Sequence, residues 1–199
     1  WAMGVLRDGR IGDVRGVHSC FYFFDDNPDG ILHHSEWGGG CLMDIGCYSV
    51  SLSRWLFQAE PVHVSAIMEN DPRCGVDRSI AGVMQFPTGI STFSCSTQLA
   101  SCQHVSIFGT HGRLELELPF NPPTDRPHHA LLIVAGVAER VTFEICDQYG
   151  IQADLFSRAI LENTAVPTPI DDALANMRVI EALVCGSRRT AGLRQSDTH

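Results

Sequence analysis

The chain has 199 residues and a formal charge of −9, from 14 basic and 23 acidic side chains. That is enough length for one sizeable core, while nucleic-acid binding is disfavoured because phosphate neutralisation needs a concentrated basic face. No apolar run approaches the roughly 20 residues that cross a bilayer, which argues against a membrane partner, and a cytoplasmic location is expected.

Read in chain order, residues 2–6 are the tail of a helix stopped by Gly9 and Gly12. Residues 14–24, rich in Val17, Cys20, Phe21, Tyr22, Phe23 and Phe24, read as a strand buried on both faces. Residues 25–36 form a polar loop containing Asp25-Asp26-Asn27-Pro28-Asp29-Gly30 and His33-His34, a place where substrate contacts are expected. Next comes Trp37-Gly38-Gly39-Gly40-Cys41-Leu42-Met43-Asp44-Ile45-Gly46-Cys47-Tyr48, continuing to Phe57. Its glycines permit a tight turn and close approach to a ligand, and the apolar spacing after them predicts a helix. Asp44 and Tyr48 then lie one turn apart on the same face, a carboxylate and a phenol able to move a proton to or from a substrate hydroxyl or carbonyl. The same spacing also suits a buried helix whose Asp and Tyr merely satisfy each other.

Strands are predicted at residues 61–68, then at 79–86 and 90–96 around Pro87-Thr88-Gly89, and at 105–108 and 113–118 around Gly109-Thr110-His111-Gly112. Leu114, Leu116 and Leu118 alternate with Arg113, Glu115 and Glu117, which buries one face of that strand. After an irregular stretch at 121–127, further strands fall at 130–134 and 140–145, and the succession of hairpins implies an antiparallel meander. Two helices follow. Residues 151–163 place Leu155, Phe156, Ala159 and Ile160 on one stripe, and residues 171–186, with Asp171 as N-cap, place Leu174, Met177, Ile180 and Leu183 or Val184 on another. The expected fold class is α+β: a large, mostly antiparallel open sheet with helices packed on one face. Residues 1–190 are read as one domain and residues 191–199 as a disordered tail.

Several chemistries are absent from the pattern. The eight cysteines form no Cys-x-x-Cys and stand mostly in apolar stretches, as buried thiols in a reducing compartment do. Adjacent histidines such as His33-His34 and His128-His129 point apart, so no metal is expected. Cys47 has no basic partner nearby in sequence to lower its thiol pKa. There is no Gly-x-Gly-x-x-Gly, no phosphate loop, and no lysine anywhere.

The stretch from Trp37 to Phe57 resembles the signature helix of the Gfo/Idh/MocA oxidoreductases, the family of glucose-fructose oxidoreductase, inositol dehydrogenase and dimeric dihydrodiol dehydrogenase. Leu6-Arg7-Asp8-Gly9-Arg10-Ile11-Gly12-Asp13-Val14-Arg15 resembles the opening of that family's second domain. Asp147 to Phe156 and Pro169 to Leu183 resemble its two late helices, in the expected order. The resemblance implies a C-terminal substrate-binding and oligomerisation domain, with an N-terminal Rossmann domain as its partner outside this sequence. That other domain carries a catalytic lysine in a Glu-Lys-Pro motif. NAD or NADP is implied for the intact protein, with no cofactor-binding residue in this chain, so the chain alone is expected to be inert.

The implied reaction is hydride transfer on a sugar or a cyclic polyol or diol. Tyr48 is the implied acid/base, needing a nearby cation because a phenol ordinarily ionises near pH 10. Asp44 would hold substrate hydroxyls or orient Tyr48. Tyr149 falls near the implied cleft, and Trp37 and His33 are candidates to line a sugar site. Homo-oligomers through the sheet face are also implied. The competing reading is a non-catalytic sugar-binding or dimerisation module of the same fold.

Overall fold

The computed structural model describes residues 1–187; the tail expected at 191–199 lies outside the described residues. In chain order the elements are α1 (Ala2–Arg7), β1 (Val14–Phe24), two short 3₁₀ turns (Ile31–His33 and Ser35–Trp37), a π-helical turn (Leu42–Gly46), α2 (Cys47–Phe57), β2 (His63–Asn70), β3 (Asp77–Phe86), β4 (Gly89–Ser96), β5 (Gln98–Gly109), β6 (Gly112–Glu117), β7 (His128–Val134), β8 (Val137–Phe143), α3 (Gln148–Leu161) and α4 (Ile170–Ser187). The class is α+β. Among the described residues no helix is long and apolar enough to cross a membrane.

The strands form one eight-stranded open sheet in the order β2-β3-β4-β1-β5-β6-β7-β8. Neighbours are antiparallel except β1 and β4, which run parallel with Val17 opposite Ser91 and Phe21 opposite Cys95. The expected meander is thus interrupted at one place. The earliest strand is inserted between β4 and β5, and hairpin signals, which report only on consecutive strands, carry no trace of that insertion. β5 is also longer than residues 105–108, because β1 hydrogen-bonds along most of its length, from Gln98 to Gly109.

The core lies on one face of the sheet. Ile11, Val17, Met84, Phe93, Val105, Ile107, Leu114 and Leu132 are buried there together with Val50 of α2 and Leu183 of α4. Burial of this apolar surface is the main stabilising term. Among the described residues no helix covers the opposite face, which corrects the expectation that β1 is buried on both faces. Val17, Ser19 and Phe21 are buried, but His18 is exposed and Phe24 is 63% exposed. The described residues supply no second layer whose side chains would interdigitate with that face.

α2 and α4 are joined by a buried arginine. Arg54 makes two 2.8 Å hydrogen bonds to the Glu60 carboxylate and a 2.9 Å ion pair to Asp172. Asn176 Nδ2 donates to the Cys47 carbonyl at 3.2 Å. Asp171 is not the N-cap expected for α4; the helix begins at Ile170, so Asp171 and Asp172 occupy its first turn, where the helix dipole favours them. α3 is capped by Asp147, whose side chain accepts from the Tyr149 backbone N–H at 3.0 Å. Its apolar stripe is present but uncovered: of Leu155, Phe156, Ala159 and Ile160 only Ala159 is buried.

Candidate active site

The signature segment is anchored by its glycines in a different way from that expected. A β-carbon on Gly39 would lie 2.6–2.8 Å from the carbonyl oxygens of Leu32, Ile31 and His34. Gly40 has φ +107°, and a β-carbon there would stand 2.1 Å from Asp77 Oδ1. The close approach is therefore to the chain's own backbone and to Asp77, with no ligand needed to explain it.

Asp77, at the start of β3, caps the segment. Its Oδ2 accepts the Leu42 backbone N–H at 2.7 Å and the Cys41 thiol at 3.2 Å. Burial pushes the Asp77 carboxyl up, and these two donors oppose that shift. Sequence reasoning did not find this residue. An aspartate at the head of an apolar strand was the available signal, but its partner lies 35 positions earlier.

Between the glycines and α2 the chain makes the π-helical turn at Leu42–Gly46. Asp44 and Tyr48 are thus separated by a π-to-α junction rather than by one regular α-turn, a feature frequent at functional sites. They nevertheless face one cavity of about 450 Å³, lined also by Phe21, Tyr22 and Phe23 of β1, Ile45, Ser101, Cys102 and Gln103 of β5, Leu118 and Asn121.

One wall of the site is aromatic. The Tyr48 ring lies 5.8 Å from Phe21 and 5.6 Å from Phe120, and those two rings stack 5.5 Å apart. Phe120 was not singled out in the sequence. It is brought in by the segment after β6, where Gln103 Oε1 accepts the backbone N–H groups of Phe120 and Asn121 at 3.3 and 3.0 Å.

The electrostatics all work against ionisation. Burial pushes the Tyr48 phenol above its ordinary pKa, and Cys47, Tyr149 and Asp44 push it further. Burial, then the charge of Asp25, raises the Asp44 carboxyl. The Cys47 thiol is pushed up to about 11, first by burial and then by Asp44, so it is no nucleophile at neutral pH. Among the described residues, no basic side chain lines the cavity.

The five sequence-predicted site residues divide into two groups. Asp44 and Tyr48 share the cavity, and Tyr149, exposed at the start of α3, is close enough to act on Tyr48 electrostatically. Trp37 is exposed and packs its ring 4.0 Å from His34. His33 is buried beside Cys74 and Asp25. Neither Trp37 nor His33 lines the cavity.

A family model described as the GFO/IDH/MocA C-terminal domain matches residues 2–115. The uncharacterized oxidoreductase ORF334 of Rhizobium meliloti is 35% identical over 191 residues, which cover 93% of this chain and 57% of that protein. A D-xylose 1-dehydrogenase (NADP(+)) of Haloferax volcanii is 30% identical over 176 residues, 87% of this chain and 54% of its own length. Among solved structures, the aldose-aldose oxidoreductase of Caulobacter crescentus, complexed with glycerol, matches with a TM-score of 0.82 at 28% identity, covering 96% of this chain and 58% of that one. The chain spans a little over half the length of these relatives.

Proposed function

We propose, for a chain that belongs to the Gfo/Idh/MocA oxidoreductase family, that it is the substrate-binding and proton-transferring half of a nicotinamide-dependent oxidoreductase acting on a sugar or a cyclic polyol or diol. The observation that carries this reading is the shared cavity of Asp44 and Tyr48, in which no described basic residue stabilises the phenolate. A general acid/base at neutral pH needs a pKa nearer 7, so the site calls for a cation from a second domain. The names of the relatives, a D-xylose dehydrogenase and an aldose oxidoreductase, support a sugar-like substrate.

The dinucleotide itself does not fit the described residues. The sequence has no Gly-x-Gly-x-x-Gly, and the cavity offers a carboxylate and no cation for a pyrophosphate. When supplied by a dinucleotide-binding domain, the cofactor contributes the hydride chemistry at the substrate carbon. This chain's part is narrower. Tyr48 exchanges a proton with the substrate oxygen, Asp44 accepts a hydrogen bond from a neighbouring hydroxyl, and the Phe21–Phe120 pair offers an apolar surface to the C–H face of a ring. Tyr149 belongs to the rim of the same site; Trp37 and His33 are left out of it. The uncovered sheet face, with Ile67, Val83, Ile90 and Phe108 exposed, supports self-association as part of the same reading.

The test is Tyr48→Phe in the protein that joins this chain to its dinucleotide-binding domain. Turnover is expected to fall about 10²–10⁴-fold with cofactor affinity unchanged, and unaltered turnover removes Tyr48 from the mechanism. In parallel, calorimetry on this chain alone should detect no micromolar binding of NAD(H) or NADP(H). Finding such binding would overturn the division of labour between two domains.

A further inference from the structure

The segment entering the signature helix meets the turn between β2 and β3 at a cluster unrelated to Tyr48. His33, Asp71 and Cys74 offer nitrogen, oxygen and sulfur atoms that all lie within 4.8 Å of one another. His33 and Asp71 are 8% and 1% exposed, while Cys74 is half-buried and open to solvent on one side. His33 Nδ1 stands 3.9 Å from Cys74 Sγ. Its Nε2 is buried without a hydrogen bond, 3.6 Å from Asp25 Oδ1. With a metal on Nδ1 the ring proton sits on Nε2, facing the Asp25 carboxylate, the arrangement in which a carboxylate orients a metal-binding imidazole.

We propose that His33, Asp71 and Cys74 bind one divalent transition-metal ion of the zinc type, clamping residues 25–37 to the β2–β3 turn. The donor set decides the class of ion. Imidazole and thiolate suit zinc and its neighbours, whereas calcium and magnesium prefer oxygen ligands alone. Metal–nitrogen and metal–sulfur bonds of about 2.0 and 2.3 Å at a tetrahedral angle separate the two donors by roughly 3.5 Å, near the 3.9 Å spacing of His33 and Cys74. A thiolate, a carboxylate and a neutral imidazole balance the charge of a dication, the Cys74 proton passing to solvent on binding. Water completes the fourth position.

Arg73 is the built-in competitor. Asp71 accepts from Arg73 Nη2 at 2.8 Å, from the Arg73 backbone N–H at 2.8 Å and from Gln98 Nε2 at 2.7 Å. The Arg73 side chain is 58% exposed, so its guanidinium can swing into water when a metal takes its place. This site departs from the expectation of no metal drawn from adjacent histidines. The donors that meet His33 are not beside it in sequence; Cys74 stands 41 positions on.

The experiment is a titration of the reduced protein with CoCl2, followed by ZnCl2 as displacing ion. One equivalent of Co²⁺ is expected to give near-ultraviolet sulfur-to-cobalt charge-transfer absorption that Zn²⁺ removes. Cys74→Ser should abolish it, His33→Gln should weaken Co²⁺ binding about tenfold or more, and Cys102→Ser should leave it intact. Near-ultraviolet circular dichroism verifies that Cys74→Ser is folded. Absence of the absorption at one equivalent, or its survival in folded Cys74→Ser, would overturn the proposal.

Discussion

Tyr48 is surrounded by groups that favour its neutral form, and the order of their effects sets what it can do. Burial comes first, followed by Cys47, Tyr149 and Asp44, all raising its pKa. In this chain alone the phenolate absorbance that disappears in Tyr48→Phe should therefore titrate above the ordinary tyrosine value of about 10. Ultraviolet difference titration checks this, and a transition at or below that value would mean that a cation already faces the ring. Joining the chain to a cation-bearing domain should move the same transition down.

Asp44 and Tyr48 were legible as a pair because they are four positions apart in one segment, so local spacing carried them to one side of the chain. Asp77 and Phe120 were not legible. Each reaches the site from a different strand or loop, and only the sheet register fixes where they arrive.

At the scale of elements, the site depends on how α2 is held. Its start is pinned by the glycines and Asp77, and Ser53 fixes its middle to β4 through a 2.7 Å hydrogen bond to Ser91. Arg54 ties it to Glu60 and to Asp172 of α4. Arg54→Ala should destabilise the chain by about 3 kcal/mol, at the low end for a buried ionic partner because the two carboxylates stay partly in water. Hydrogen bonds from Arg54 hold the Glu60 carboxyl below its usual value. The link is thus complete above the ordinary glutamate pKa of about 4.3 and fades as pH falls through the depressed value. Chemical denaturation of wild type and Arg54→Ala should accordingly show a difference near pH 7 that shrinks below pH ~4; an equal difference at both pH values would mean that packing, not the ion pair, is what Arg54 contributes.

The apolar stripe of α3 teaches a related lesson. Its 3.6-residue period was read correctly as a helix, and yet periodicity names an apolar face without naming what covers it. Phe156→Ser should change the stability of this chain by less than about 0.5 kcal/mol, as measured by thermal or denaturant unfolding. A larger loss would mean that α3 packs against this chain in solution.

At the scale of the whole molecule, the described residues cover the sheet on one side. Ile67, Val83, Ile90 and Phe108 are exposed on the other, and the register places Val83 beside Thr92, and Thr92 beside His18, on that face. If this face is the self-association surface, Val83→Arg should shift the molecule toward monomers in analytical ultracentrifugation while leaving its secondary structure unchanged. A wild-type chain that is already monomeric at about 50 micromolar, a concentration at which a weak assembly forms, would dispose of that reading.

What the sequence by itself determined were the local quantities: helix and strand periods, the turns at glycines and prolines, and the Asp44–Tyr48 spacing within one segment. These depend on neighbours a few positions apart, which any segment carries within itself. The tertiary structure alone decided the insertion of β1 between β4 and β5, the capping of the signature segment by Asp77, the aromatic wall made with Phe120, and the meeting of His33 with Asp71 and Cys74. Each of these joins residues far apart in the chain, and their encounter is set by strand order and register, which no local pattern encodes.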